Sequence, residues 1–294
     1  MPEGCSVVIA TIGKRRKKLK ACLDSLFRQT YSNLEVICVV PVAASIECID
    51  HRARIIQTND INGSRNKNAG IGKAKNNFVA LTDDDCIAEE NWVANIMKDF
   101  KENDVAAVCG SVYPLGQEVE YSRKQEKKKL FKKNEHFIPP WNVGTGGCIC
   151  VKKSVIEDVG PFDERLGPGS FFHSAEDIDM IHRIIDAGYS ILYDPNVIIF
   201  HDKTESRPQQ IVRFYRYRFG LGAFFFKIRR NRMGRKFFFD HFLVGEINNF
   251  KANLLRGRVK WIPRTWAAFL GALFGFFAFS VLPRGRVKRN SARN

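Results

Sequence analysis

The chain has 294 residues, 45% of them hydrophobic, which is enough for one large domain or two small ones with a proper core and excludes a disordered or fibrous protein. Its formal charge of +16 is unevenly placed: residues 1–202 hold 26 Lys and Arg against 28 Asp and Glu, whereas 203–294 hold 21 against 3. Sixteen of the 24 Phe lie after residue 199, so the basic region is interleaved with large apolar side chains, which favours an anionic membrane surface and argues against nucleic acid.

From residue 5 to about 110, short apolar runs alternate with helical periodicity: "SVVIA" (6–10), "EVICVV" (35–40), "RIIQ" (54–57), "FVAL" (78–81) and "VAAVCG" (105–110). Between them, Leu19, Cys22, Leu23, Leu26 and Phe27 share one helical face, as do Trp92, Val93, Ile96, Met97 and Phe100. Strands apolar on both faces and alternating with helices predict an α/β domain with a mainly parallel sheet covered on two sides, and ligands in such sheets bind beyond the carboxyl ends of the strands. The segment 118–136 is highly charged and reads as a solvated helix or mobile loop. A helix is expected to begin near Ser174, with Ile178, Ile181, Ile184 and Ile185 as its apolar stripe and Gly188 as its stop, and "NVIIFHD" (196–202) reads as the last strand.

The expected division is a catalytic domain over 1–202 and a basic, aromatic helical extension over 203–294. Within the extension, 265–282 is 18 residues without a charge, about 27 Å as a helix and marginal against a hydrocarbon core of roughly 30 Å. Basic residues flank it on both sides, so the positive-inside rule does not orient it; it is expected to contact the membrane by spanning, re-entering or lying on the interface, with a buried core helix as the alternative. The eight Cys show no C-x-x-C pair and no zinc-site spacing, and read as reduced core thiols. The apolar run in "MPEGCSVVIATIG" is too short for a signal peptide, so the catalytic part is expected at the cytoplasmic face of the membrane.

Three consecutive carboxylates, Asp83, Asp84 and Asp85, close the run "FVALTDDD". Like charges at a strand end cost stability unless a cation neutralises them. In an extended chain Asp83 and Asp85 point to one side and Asp84 to the other, and such a D-x-D pair can hold Mg2+ or Mn2+ while the ion takes up substrate phosphate oxygens. The alternative is a solvated turn capping the next helix. Phosphatase-type and prenyl-transfer motifs fit poorly because Ile87 stands where they need another residue. A second acidic cluster, Glu176, Asp177 and Asp179, follows Ser174, and Ser174-x-x-Asp177 matches a capping box. That cap leaves Glu176 and the Gly-rich approach "GPFDERLGPGS" (160–170) unexplained.

The ordered set "VVIATIGKRRKKLKACLDSL", "NGSRNKNAGIGKAKNNFVALTDDD", "WNVGTGGCICVKKSVIEDVGPFDERLGPGS" and "AEDIDMIHRIIDAGYSILYDPNVIIFH" resembles the family 2 glycosyltransferases of GT-A fold over residues 5–201. The resemblance implies transfer of a sugar from a nucleotide-sugar, a UDP-sugar being the commonest, to a saccharide or lipid-linked acceptor by inverting displacement. It implies that Thr11, Arg65, Asn66 and Asn68 contact the nucleotide, that Asp83 lies near the ribose and sugar, and that Asp85 lies on the metal. Asp177 matches the general base, Gly146 and Gly147 a small-residue turn beside the donor sugar, and His201 a further metal or diphosphate contact, with a satisfied structural histidine as its alternative.

The chain departs from the pattern at Ala10, where the family commonly has Pro, and in "VVPVAAS", which offers no Asp for nucleobase recognition. Gln210, Arg213 and Phe214 approach the Q-x-x-R-W of processive synthases without the Trp, so a non-processive enzyme is expected. Two rivals remain open on the residues alone. One is a nucleotidyltransferase, which should show a Gly-rich phosphate loop where "ATIGKRRKKLK" has only Gly13. The other is a non-enzymatic membrane- or nucleic-acid-binding protein acting through its basic tail.

Overall fold

The computed structural model describes residues 3–43, 50–115, 125–134, 136–202, 207–239, 244–255 and 262–281. They fall into two compact units, one drawn from Met1–Asn134, Ile138–Phe162 and Asp177–Lys203, the other from Glu135–Phe137, Asp163–Glu176 and Thr204–Asn294.

The first unit runs β1 (Cys5–Ala10), α1 (Arg16–Leu26), β2 (Leu34–Pro41), β3 (Arg54–Thr58), α2 (Gly63–Lys73), β4 (Phe78–Asp83), β5 (Cys86–Ala88), α3 (Trp92–Glu102), β6 (Ala107–Pro114), β7 (Lys129–Phe131), β8 (Ile149–Lys152), α4 (Lys153–Val159), α5 (Glu176–Asp186) and β9 (Ile191–His201). Among the described residues these strands form one sheet in the order β3-β2-β1-β4-β8-β6-β9-β5, with β7 also on β9. The β3-β2-β1-β4 half is parallel. Beyond it the sheet is mixed: β8 lies antiparallel between β4 and β6, β9 is parallel to β6, and β5 and β7 pair antiparallel with β9.

Alternation along each buried strand divides the core between the two faces. Val7, Ile9, Cys38 and Val40 join Leu19, Leu23 and Leu26 of α1 and Trp92, Ile96 and Phe100 of α3. Val8, Ile37 and Val39 join Ile71 of α2, Ile156 of α4 and Ile181, Ile184 and Ile185 of α5. Each fully buried Leu or Ile side chain contributes about 1.5–3 kcal/mol through water exclusion. The seven described cysteines are buried free thiols, and Cys48 lies outside the described residues. Of the charged segment 118–136, residues 125–134 and 136 are described, and Lys129–Phe131 forms β7. The short strands β5, β7 and β8 were not expected from periodicity, because three or four residues are too few to establish an alternation.

Lys128, just before β7, bonds Asp99 of α3 and reaches Asp194 of β9 at 2.9 Å. Burial lifts the Asp99 carboxyl to about 6 against the pull of Lys128, and the neighbouring Asp194 charge adds to the rise.

The second unit contains α6 (Arg207–Lys227), α7 (Arg232–Phe237), α8 (Val244–Leu255) and α9 (Ile262–Val281). Helices α6 and α9 cross at backbone contact: a Cβ on Gly275 would stand 1.9 Å from the Phe219 carbonyl oxygen, and one on Gly222 would stand 2.0 Å from that of Ala272. Phe172, Phe219 and Phe279 fill the space beside this crossing. The expected membrane segment 265–282 forms α9 up to Val281, with residue 282 outside the description. Among the described residues no helix is long and apolar enough to cross a membrane.

Candidate active site

The site begins with strand register. Because β1 and β4 are parallel with Ala10 opposite Asp83, the next residues, Thr11 and Asp84, leave the sheet side by side. The Thr11 hydroxyl donates to Asp84 Oδ2, and the Gly13 amide donates back to Thr11 Oγ1 at 3.1 Å. β4 ends at Asp83, and Asp84–Asp85 form a turn before β5. Strand alternation therefore does not reach the second and third carboxylates, and the expectation that Asp84 points away from Asp85 is corrected. Arg15 grips both, through Nη2 to Asp84 Oδ1 at 2.5 Å and through Nη1 to Asp85 Oδ2. Asp84 is only 1% exposed. Burial pushes its carboxyl upward, outweighing the opposing pull of Arg15 and Thr11.

A second register brings His201 in. β5 and β9 are antiparallel with Cys86 opposite His201, and the Asp202 amide donates to the Asp85 carbonyl at 2.8 Å. His201 Nε2 thus lies 3.2 Å from Asp85 Oδ1. One ligating atom from each of Asp85, Cys86 and His201 falls within 4.8 Å of the others. Burial, with the neighbouring Asp83 and Asp85 charges behind it, raises the Cys86 thiol well above its ordinary range, so it stays protonated at neutral pH. The remaining carboxylate oxygen and imidazole nitrogen are donors that suit Mg2+ or Mn2+, with room left for phosphate oxygens. Lys18 secures this edge, reaching the Asp202 carbonyl at 2.7 Å.

The loop 144–148 lies across this strand-end cluster. A Cβ on Gly146 would stand only 2.9 Å from the Asp177 Cβ, closer than contact allows, and one on Gly147 would stand 3.1 Å from Asp83 Oδ2 and press on that carboxylate. The Gly146 amide donates to Asp177 Oδ2 at 2.7 Å, while Oδ1 takes the Ile178 amide at 2.8 Å. Asp177, on the first turn of α5, is half-buried. The capping box is corrected: α5 starts at Glu176, and the Ser174 hydroxyl instead bonds the carbonyls of Arg216 and Tyr217 of α6 at 3.1 and 3.2 Å, all within the second unit. Ser174 is engaged away from the helix because His173 and Ala175 both have positive φ, 62° and 76°, which turns the chain before α5. Arg183 holds α5 to the preceding loop, pairing with Asp179 at 2.9 Å and donating to the carbonyls of Val159, Gly160 and Pro161.

The helix α2 carries the other candidates. Asn62 caps it, its side chain accepting from the Arg65 amide at 3.1 Å. The Arg65 guanidinium reaches Asp60 at 2.6 Å, and that partner together with backbone N–H donors holds the Asp60 carboxyl below its usual range. Asn66 is buried between Thr58 Oγ1 and the Asp60 carbonyl. Asn68 bonds Phe162 twice, amide to carbonyl at 3.0 Å and carbonyl to amide at 2.9 Å. The structure therefore gathers Thr11, Asp83, Asp85, His201, Gly146, Gly147 and Asp177 at the strand ends and the loop over them, while the side chains of Asn66 and Asn68 brace the loops around α2. Two residues escaped the sequence reading. Arg15 was visible only as one cation in "GKRRKK", and Asp60 follows the third strand rather than the second.

A family model described as Glycosyl transferase family 2 matches residues 6–160. The chain is 28% identical over 142 residues to the Pre-mycofactocin glycosyltransferase of Mycobacterium tuberculosis; the match covers 46% of this chain but 29% of that relative, so the chain spans under a third of its length. It is 28% identical over 235 residues to the O-antigen chain rhamnosyltransferase WbaN of Salmonella anatum, covering 72% of this chain and 68% of that one. In three dimensions it matches the mannosyltransferase PcManGT from Pyrobaculum calidifontis in complex with GDP-Man and Mn2+, with a TM-score of 0.67 and 16% identity over 96% of this chain and 88% of that one.

Proposed function

The chain belongs to glycosyl transferase family 2 and has the GT-A fold, and on that premise we propose that it moves a sugar from a nucleotide-sugar to a hydroxyl by metal-dependent, inverting single displacement. The observation that carries the mechanism is the convergence of Thr11, Asp83, Asp85 and His201 at the strand ends, with the Gly146–Gly147 loop holding Asp177 in place.

Asp85 and His201 would hold Mg2+ or Mn2+ with Asp83 beside them, and the cation would supply Lewis-acid stabilisation of the charge growing on the diphosphate. Thr11, Arg65, Asn66 and Asn68 shape the nucleotide end. Gly146 and Gly147 let the turn beside the donor sugar approach Asp177 and Asp83 closely, where a side chain would push those carboxylates away. Asp177 takes the proton from the acceptor hydroxyl; the acceptor oxygen bonds the anomeric carbon as the carbon–oxygen bond to the diphosphate breaks, and the electron pair leaves with the nucleoside diphosphate. One displacement inverts the anomeric centre.

The acceptor we favour is a saccharide or lipid-linked sugar in cell-surface polysaccharide or glycolipid synthesis, with the donor a UDP- or GDP-sugar. We place the enzyme at an anionic membrane's cytoplasmic face. In support, residues 203–294 are strongly basic, and Trp266, Phe274, Phe277 and Val281 recur at helical spacing as exposed side chains on α9. The test is a panel of nucleotide-sugars with Mn2+ or Mg2+, scored by thermal stabilisation and donor hydrolysis, alongside Asp83→Ala, Asp85→Ala and Asp177→Asn. Stabilisation by no nucleotide-sugar, or full transfer by all three variants, defeats the proposal.

A further inference from the structure

Arg15 stands on the loop between β1 and α1, and its side chain is 48% exposed while the Asp84 and Asp85 side chains it grips are 2% and 8% exposed. The four oxygens of these two carboxylates are divided pairwise. Thr11 takes one oxygen of Asp84 and Arg15 the other; His201 faces one oxygen of Asp85 and Arg15 the other. A guanidinium therefore occupies a carboxylate oxygen beside the Asp85–His201 donor pair, on the solvent side of it. It stands at the cap of α1, with Lys14 before it and Arg16 and Lys17 on the first turn of the helix. Neighbouring buried carboxylates repel one another, and the guanidinium offsets that repulsion at Asp84 and Asp85.

We propose that Arg15 is a resident counter-cation of the carboxylate turn: it neutralises Asp84 and Asp85 before the donor arrives, yields Asp85 to the divalent cation, and passes to the diphosphate oxygens that arrive with it. The proposal rests on the reading that Asp85 and His201 hold a metal. It makes Arg15 a positioning residue whose effect is thermodynamic coupling. The metal alone must draw Asp85 away from a guanidinium that then keeps only Asp84, so it binds weakly. The metal with a nucleoside diphosphate returns a bidentate acceptor to that guanidinium, so each ligand tightens the other by the same factor. A Lys at this position offers one compact ammonium in place of a planar fork, and so holds the two carboxylates less firmly.

The experiment is titration of Mn2+ alone, followed through the paramagnetic signal of the free ion, and then of Mn2+ with UDP or GDP present. It uses the full chain and its Arg15→Met, Arg15→Lys, Arg16→Met and Asp85→Asn variants. Arg15→Met should bind Mn2+ alone about fivefold or more tighter than the unaltered chain, the scale of one partly exposed ion pair, and its gain on adding nucleotide should shrink by a similar factor. Arg15→Lys should fall between, and supplies the same comparison if Arg15→Met does not fold. Arg16→Met removes the same charge one residue along and should leave both quantities unchanged. Equal Mn2+ affinity in the unaltered chain and the Arg15 variants, or an equal gain in Arg16→Met, overturns the proposal while leaving the metal site standing. Unchanged Mn2+ binding in Asp85→Asn overturns the metal site itself.

Discussion

Asp177→Asn separates chemistry from architecture at the proposed base. The carboxylate now accepts two backbone N–H groups, Gly146 at 2.7 Å on one oxygen and Ile178 at 2.8 Å on the other. An amide of the same shape keeps one oxygen and turns an NH2 toward the second donor, so one of these bonds is lost. Leaving one partly buried donor unmatched costs about 1–2 kcal/mol, and for a unit of this size that lowers the melting temperature by only a few degrees. The amide has no lone pair basic enough to take the acceptor proton, so turnover should fall by about 10²–10⁴-fold, equivalent to about 3–5 kcal/mol of barrier. Binding of UDP or GDP with Mn2+, measured by calorimetry, should be nearly unchanged, because a base acts on the acceptor hydroxyl and not on the nucleotide. The measurement is sugar transfer under donor saturation together with that titration and a melt. Turnover within about threefold of the unaltered enzyme would refute the assignment of Asp177 as base.

Three further outcomes follow from the packing. Asn68→Ala removes both bonds to Phe162 and should cost about 1–3 kcal/mol, read as a loss of several degrees in thermal melting; an unchanged melt would show that the 160s loop needs no such brace. Gly275→Ala places a Cβ 1.9 Å from the Phe219 carbonyl and should lower the melting temperature or abolish soluble expression, whereas Gly245→Ala on α8, with nothing within 4 Å, should be neutral or stabilising by up to about 1 kcal/mol. Asp99 gives a pH dependence of defined sign. Its carboxyl is lifted to about 6 when folded and sits near 4 when unfolded, so between those values the folded state holds more protons and stability rises as pH falls from 6 toward 4. Chemical denaturation should show the unaltered chain gaining about 1–2 kcal/mol across that window relative to Asp99→Asn; parallel profiles for the two would contradict it.

The parallel half of the sheet and the two helices covering it were legible in the sequence, because Val7, Val8 and Ile9 form a short continuous apolar run, as a strand buried on both faces requires, and the Leu19–Leu23–Leu26 stripe repeats at the helical period. β8 was not, since its antiparallel insertion between β4 and β6 depends on partners separated by forty residues or more. At the site, the residue types and their order were readable: a carboxylate triplet closing a strand, a Gly pair, and an acidic helix start.

Their meaning was decided by the fold. The sequence by itself determined which side chains are chemically able to hold a cation or take a proton, since that follows from their identity. Only the tertiary structure decided that Asp84 is anchored rather than turned away, that His201 meets Asp85, that Ser174 serves α6 and not α5, and that Arg15 holds the carboxylate turn. Each of these is a contact set by strand register or loop path between residues distant along the chain, and local periodicity carries no record of such a distance.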